Sequence, residues 1–169
     1  MILPPSLLID ANALIYLNNM GFVRKVISSL VKYGINPFTT NLVKQEMKVP
    51  SWKALEGWGM RWYEVSMSQL CAAGSMHACD SKLSMADASL AVVASEMNVT
   101  LVTADALLSR HLNQIGGSVM NFPEFIDALA TDGFLTAKEA VFAFSQAKKL
   151  LHCPPCDAYL KKYRDLVHD

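Results

Sequence analysis

Strand-like and helix-like segments alternate along residues 1–122, and this alternation limits the folds that are open to the chain. Residues 7–9 and 99–103 are short apolar runs typical of buried strands, and residues 84–97 carry the strongest helical pattern. Strands separated by helices favour a parallel sheet, because two parallel strands need a long crossover connection. We therefore expect an α/β fold with three layers, α/β/α, around a central and mainly parallel sheet.

The remaining elements follow from apolar spacing and from capping and turn residues. Further strands are predicted at residues 36–39, 62–66 and 118–121, and helices at residues 13–17, 21–33, 41–46, 51–61 and 106–115. Residues 67–82 show no clear pattern of either kind.

From residue 123 onward the sequence pattern is helical throughout, with helices predicted at residues 123–131, 136–151 and 155–167. The apolar stripe on the second of these helices requires a surface to pack against. The sequence therefore predicts a core domain over residues 1–122 and a helical tail over residues 123–169. The tail is expected to pack on that domain or on a dimer partner.

Composition and charge narrow the class of protein. The chain has 169 residues, of which 52% are hydrophobic and 18% charged, and this fits a folded domain with a full core. Fifteen basic and fifteen acidic residues leave no net charge, so overall charge does not favour nucleic acid, although local patches remain open. No uncharged apolar stretch approaches the roughly 18 residues that span a bilayer. Without a basic leader or a long apolar run, we expect a soluble, cytoplasmic protein with no signal peptide.

Four acidic residues lie where an apolar or neutral residue would fit the pattern better. Asp10 closes the first predicted strand, and Asp105 follows residues 99–103 by two positions. Glu46 and Asp87 lie on the apolar faces of two predicted helices. A buried carboxylate is costly unless a cation or hydrogen bonds compensate it, and residues past strand ends in parallel sheets are often functional.

Each acid also has an ordinary explanation. Asp10 and Asp105 could cap helices, and Asp87 could form a capping box with Ser84. Glu46 could lie at the edge of an amphipathic helix. Four such placements together favour one cluster, and clustered carboxylates without His or Cys select Mg²⁺ or Mn²⁺. Such ions activate water for attack on a phosphodiester, and no motif for a protein nucleophile is present in the sequence.

The cysteines allow three interpretations. Cys153 and Cys156 have the spacing of half a zinc site, which Cys71 and Cys79 would have to complete across an atypical gap. A redox pair is the second interpretation, and ordinary packing of the thiols is the third, favoured one.

Three segments resemble the PIN-domain family of metal-dependent ribonucleases. They are LLIDANALIYL (7–17), FTTNLVKQEM (38–47) and LSMADASLAVVASEMNVTLVTAD (83–105). The resemblance covers about residues 6–122 and has the four acids in the order of the family. The further acid that many members carry shortly after the last Asp is absent from residues 106–108.

The resemblance implies a function and a set of site residues. It implies that Asp10, Glu46, Asp87 and Asp105 coordinate one or two Mg²⁺ or Mn²⁺ ions, and that a bound water cleaves RNA to a 3′-hydroxyl and a 5′-phosphate. The polar residues that it places in support of the site are Asn12, Thr39, Ser84 and Thr103.

Within the family, the leading expectation is a VapC-type toxin, a homodimer silenced by a small antitoxin protein. The alternatives are a nuclease that processes ribosomal RNA and a catalytically inactive PIN-like scaffold that binds RNA or protein. A haloacid-dehalogenase-like phosphatase is less consistent with the sequence, because Asn12 stands where that class needs a second Asp.

Overall fold

A five-stranded parallel sheet forms the centre of the protein. The computed structural model describes residues 2–151 and 155–168. The strands are β1 (Ser6–Ile9), β2 (Asn36–Thr40), β3 (Arg61–Tyr63), β4 (Thr100–Thr103) and β5 (Val119–Asn121), and they lie in the order β3-β2-β1-β4-β5. Each neighbouring pair is parallel. The predicted α/β fold with a parallel sheet is therefore confirmed.

Helices cover both faces of this sheet. They are α1 (Ala11–Asn19), α2 (Val23–Lys32), α3 (Asn41–Glu46), α4 (Trp52–Gly57), α5 (Met67–Cys79), α6 (Met85–Met97), α7 (Ala106–Gln114), α8 (Phe122–Thr131), α9 (Ala137–Leu151) and α10 (Pro155–His168). Strand alternation divides the core, because successive side chains point to opposite faces. Leu7 and Ile9 join one hydrophobic cluster with α1, α2 and α8–α10, whereas Leu8 joins another with α3 and α5–α7.

The direction of the chain changes at β1, the central strand. The chain runs from β1 outward through β2 to β3, and then returns to the other side of β1 to form β4 and β5. A crevice forms at such a point of parallel sheets, outside the carboxyl ends of the diverging strands. Asp10 and Asp105 follow the two strands that meet there.

Helix α6 is the most deeply buried helix on the α3 side of the sheet. Ser84 begins it with a capping box, and Asn98 ends it with a left-handed backbone at φ 50°. Between these ends, Ala88, Leu90 and Ala91 are completely buried. Small side chains on this helix let it lie close to the sheet, which brings its first turn toward the ends of the strands.

The segment without a clear pattern, residues 67–82, contains α5. Ser66 and Gln69 form its capping box, and Gln69 and Ala73 are its buried residues. An uncharged helix with so narrow a buried face has little amphipathic contrast, so periodicity could not reveal it. The helix predicted over residues 51–61 is also shorter, because Gly59 takes a φ of 98° and the chain then enters β3 at Arg61.

The tail helices share a hydrophobic cluster with the sheet. Phe125 and Phe144 are completely buried in the same cluster as Ile9 and Leu14. The ring of Phe144 also stacks on Tyr159, with ring centroids 4.9 Å apart. The packing of α8–α10 on the sheet is therefore intramolecular, while the boundary predicted at residue 122 stays a prediction. None of the helices in the described ranges is long and apolar enough to cross a membrane.

Truncation of Phe144 tests this packing. Phe144→Ala should lower the free energy of unfolding by about 3–5 kcal/mol, because it leaves a cavity where the buried ring of α9 packs against Tyr159 and Tyr163 of α10. Phe142→Ala is the matched control: it removes the same side chain from the same helix, but Phe142 is 46% exposed. Urea unfolding of both variants measures the difference, and equal losses would contradict a tail core centred on Phe144.

Candidate metal centre

Asp10 is a buried carboxylate at the end of the central strand. Its backbone N–H continues the sheet by donating to the carbonyl of Val102 at 3.0 Å. Its side chain is 1% exposed. The hydroxyl of Thr103, at the end of β4, donates to Asp10 Oδ2 at 2.7 Å. The two adjacent strand ends thus hold this carboxylate in place.

Burial raises the pKa of Asp10 from its ordinary value of 3.8 to about 6. The hydrogen bond from Thr103 and the backbone N–H of Asn12 oppose this effect, whereas the charges of Asp87 and Asp105 add to it. The two charged side chains that act on Asp10 are both acids, Asp87 and Asp105. Asp10 is therefore a desolvated acid surrounded by other acids, and folding alone gives it little compensation.

Asp87 lies in the first turn of α6 and forms a reciprocal cap with Ser84. The hydroxyl of Ser84 donates to Asp87 Oδ2 at 2.7 Å, and the backbone N–H of Asp87 donates to Ser84 Oγ at 3.0 Å. The capping interpretation of this residue is thus correct. The cap does not exclude a place in the acidic cluster, because the charge of Asp87 also raises the pKa of Asp10 and of Glu46.

Asp105 caps α7 and is linked to Asp10 through one hydroxyl. Its Oδ1 accepts hydrogen bonds from the backbone N–H groups of Leu107 at 2.6 Å and Leu108 at 3.1 Å. Its own N–H donates to Thr103 Oγ1 at 3.0 Å. Thr103 therefore accepts from the backbone of Asp105 while it donates to Asp10, and this fixes the spacing of the two strand ends.

Glu46 ends α3 at the exposed margin of the cluster. Burial raises its pKa, and the charge of Asp87 raises it further. A buried hydrogen bond of 3.0 Å between Thr40 Oγ1 and Ser89 Oγ joins the start of α3 to α6. Glu46 and Asp87 are thereby held near one another by the packing of two helices.

The four acids lie within electrostatic reach of one another at the carboxyl edge of the sheet. Asp87 acts on both Asp10 and Glu46, and Asp105 acts on Asp10. Across residues 2–151 and 155–168, however, no three His, Cys, Asp or Glu side chains are placed to hold a metal ion. The donor atoms of these four side chains are carboxylate oxygens, which hard divalent cations prefer, and two of the other acids act on the buried carboxyl of Asp10. The carboxylates of Asp87 and Asp105 are turned toward helix caps.

The polar residues expected to support the site differ in their placement. Ser84 and Thr103 contact acids directly, as described above. Asn12 is exposed and contributes its backbone N–H. Thr39 faces the other side of the sheet, because side chains alternate and it is the next residue, Thr40, that contacts Ser89 of α6.

Two buried residues that hold α3 against α6, Thr40 and Ser89, were not predicted as part of the site. Thr40 lies level with Asp10, because Leu8 pairs with Phe38 and Thr40 is two positions beyond Phe38. This register is set by the pairing of β1 with β2, so the sequence alone did not distinguish Thr40 from Thr39. Ser89 carries no signal in the sequence, because a serine within an apolar helix resembles any small packing residue.

One of the four cysteines, Cys153, lies outside the described residues. Cys71 and Cys79 are exposed on α5, and Cys156 is buried in the cluster of the tail. The half-site that Cys153 would form with Cys156 therefore stays a prediction.

No model of a known protein family matches the chain, and no curated protein matches it. The PIN-domain resemblance therefore depends on the three quoted segments alone.

The pKa of Asp10 predicts how stability varies with pH in metal-free protein. A carboxyl whose pKa is raised on folding stabilises the fold below pH 3.8 and loses that contribution as the pH rises through about 6. Asp10→Asn abolishes this loss, so above pH 6 the variant should exceed wild type by up to about 3 kcal/mol, because a tenfold change in proton affinity is equivalent to about 1.4 kcal/mol.

Urea unfolding across this pH range measures the effect. Asp165→Asn, at an exposed position on α10, is the control. The difference between its free energy of unfolding and that of wild type should not change with pH. Thr103→Val removes the hydrogen bond to Asp10 and should move the transition to higher pH. A difference between wild type and Asp10→Asn that does not change with pH would show that Asp10 is not desolvated.

Proposed function

We propose that this protein is a Mg²⁺- or Mn²⁺-dependent endoribonuclease that hydrolyses RNA phosphodiesters. The observation that carries the proposal is the environment of Asp10. Its carboxylate is 1% exposed, its pKa is raised by burial, and its charged neighbours are acids. A bound divalent cation would offset the free-energy cost of burying this charge among other acids.

The residues that would hold the cation are Asp10, Asp87, Asp105 and Glu46. All four offer carboxylate oxygens, which suit Mg²⁺ and Mn²⁺ better than zinc. Asp10 and Asp105 approach from the sheet, and Asp87 and Glu46 from two helices. Access comes from the side of Glu46, the exposed member of the set.

The chemistry requires a fixed arrangement of these groups. A bound divalent ion supplies charge neutralisation at the phosphate and an activated water. Thr103 orients Asp10 through its hydroxyl, and Ser84 orients Asp87 through the capping box. The hydrogen bond between Thr40 and Ser89 keeps α3 next to α6. Because the caps use particular carboxylate oxygens, they also restrict the rotamers from which each acid can bind a cation.

The PIN-domain resemblance supports RNA as the substrate. Within that family we favour a VapC-type toxin, acting as a homodimer and inhibited by an antitoxin protein. A nuclease that processes ribosomal RNA is the alternative with the same chemistry.

A second candidate function, an inactive PIN-like scaffold, is favoured by one observation. The carboxylates of Asp87 and Asp105 are already used as helix caps, and the described residues contain no group of three ligands in place. Such a protein would bind RNA or a protein partner without needing a metal.

Metal-dependent cleavage tests the proposal. Purified protein with Mn²⁺ should cleave structured RNA, and Asp10→Asn and Asp87→Asn should each reduce the rate by at least about 100-fold, since loss of even an outer-shell partner of a metal ligand typically costs about 10–100-fold and loss of a ligand should cost more. Asp165→Asn, outside the cluster, should cleave like wild type. Gel analysis of labelled fragments should show 5′-phosphate ends.

Thermal unfolding separates the two candidates. Mn²⁺ at about 100 times its dissociation constant should stabilise wild type by about 2.7 kcal/mol and leave Asp10→Asn unaffected. A wild-type protein that neither cleaves nor responds to Mn²⁺ would exclude the nuclease and favour the scaffold.

A further inference from the structure

The two last helices leave an open groove on their outer side. Lys148 near the end of α9 contacts Asp157 near the start of α10 at 2.6 Å, so the helices form an antiparallel hairpin. One side of this hairpin is buried in the hydrophobic cluster of the sheet, through residues such as Phe144 and Tyr163. On the other side, two cavities of about 610 Å³ and 310 Å³ share Arg164 in their walls. Together they form one groove along the hairpin, which we call the tail groove.

The tail groove follows one stripe of each helix. On α9 its lining residues Lys138, Val141, Ser145 and Lys148 are three, four and three positions apart, and those on α10 follow a similar spacing over residues 157–167. Such spacing is that of one helix face. The stripe on α9 is about 16 Å long at a rise of about 1.5 Å per residue, or about three turns. A partner helix of similar length therefore fits along the groove.

The floor of the tail groove is apolar and aliphatic. Leu160 is 5% exposed, and Val141 and Val167 are half-buried on the two facing helices. None of the described residues that line the groove is aromatic. The floor thus offers contacts to aliphatic side chains, but no ring on which a nucleic-acid base would stack.

The rims of the tail groove are positively charged. Five of its described lining residues are Lys or Arg, and two are Asp. Lys148 and Asp157 pair with one another, whereas no described acid forms an ion pair with Lys149, Lys161 or Arg164. A chain without net charge therefore concentrates positive charge along one groove. Such a charge attracts and orients a partner of opposite sign.

We propose that the tail groove binds an acidic amphipathic helix of a protein partner. The apolar face of that helix contacts Val141, Leu160 and Val167, and carboxylates on either side of this face pair with cations on both rims. Amphipathic helices bind grooves in this way, with anchors three and four residues apart. An acidic helix fits better than RNA because the floor is aliphatic. It fits better than a second copy because two such grooves face to face would oppose like charges.

The tail groove is separate from the four acids. Helices α9 and α10 share a hydrophobic cluster with Leu7 and Ile9, whereas Leu8 points to the opposite face of the sheet. Asp10 lies two positions beyond Leu8 and follows the same alternation. Binding in the groove therefore needs neither a metal ion nor the acids, and it goes beyond the proposed nuclease activity.

Titration of the full-length protein with a designed peptide tests the site. The probe is a fluorescein-labelled peptide of about 18 residues, about five turns, with leucines along one helical face and glutamates beside them. By fluorescence anisotropy, Arg164→Glu should weaken binding at least about tenfold, equivalent to about 1.4 kcal/mol, because it sets a carboxylate against those of the probe. Lys53→Glu, the same charge reversal at an exposed position on α4, is the control and should bind like wild type.

A second measurement locates the site without any variant. In methyl NMR spectra of the wild-type protein, the peptide should shift the signals of Val141 and Val167. The signals of Val31, 42% exposed on α2, should stay unchanged. A peptide of the same composition in scrambled order has no continuous apolar face, so it should shift none of these signals.

The outcomes separate the acidic helix from other occupants. Absence of peptide binding, or equal binding by wild type and Arg164→Glu, would overturn the proposal. So would shifts of Val141 and Val167 caused by an oligouridylate or an RNA duplex but not by the peptide. If the same signals shift with protein concentration alone and sedimentation shows a dimer, the groove is instead an interface between copies of the chain.

The variant Asp10→Asn separates this inference from the proposed function. It should bind the peptide as wild type does, with or without Mn²⁺, because Asp10 lies on the other face of the sheet. If wild type does not cleave RNA but binds the peptide, the nuclease fails and the tail groove stands. Cleavage without peptide binding would give the opposite result.

Discussion

The burial of β1 between β2 and β4 is the constraint on which the site depends. Because β1 is central, the residue that follows it cannot reach solvent easily, and that residue is Asp10. The same pairing brings Thr103 level with Asp10, so a single hydroxyl joins the acids of two strands. An acid at the end of an edge strand would be hydrated and would have an ordinary pKa.

The acids of this cluster contribute to the stability of the fold in opposite directions. Asp87 and Asp105 stabilise the fold as helix caps, whereas the desolvation of Asp10 destabilises it. A cap improves the local helix and also fixes where its carboxylate lies. The proposed cation would therefore meet two carboxylates that already accept hydrogen bonds in helix caps.

Helix α3 joins two chemically different surfaces. One side carries Glu46 toward Asp87, and another carries Lys44 onto the ring of Trp62. Its hydrogen bond to α6 through Thr40 and Ser89 keeps both surfaces in register with the sheet. This short helix therefore carries a carboxylate and an ammonium group in two different environments, one among acids and the other over an aromatic ring.

The parallel sheet, the positions of most helices and the four acids of the cluster could be predicted from local periodicity and from residues such as Asp10 that violate it. Which side chains face one another depends on how the strands and helices pack in the folded chain. The choice of Thr40 over Thr39 depends on strand register, the role of Ser89 on how closely α6 packs, and the contact of Lys44 with Trp62 on β3 pairing with β2. Such contacts join residues far apart in the chain, so no local pattern records them. Helix α5 was missed for the related reason that its narrow buried face leaves almost no amphipathic signal.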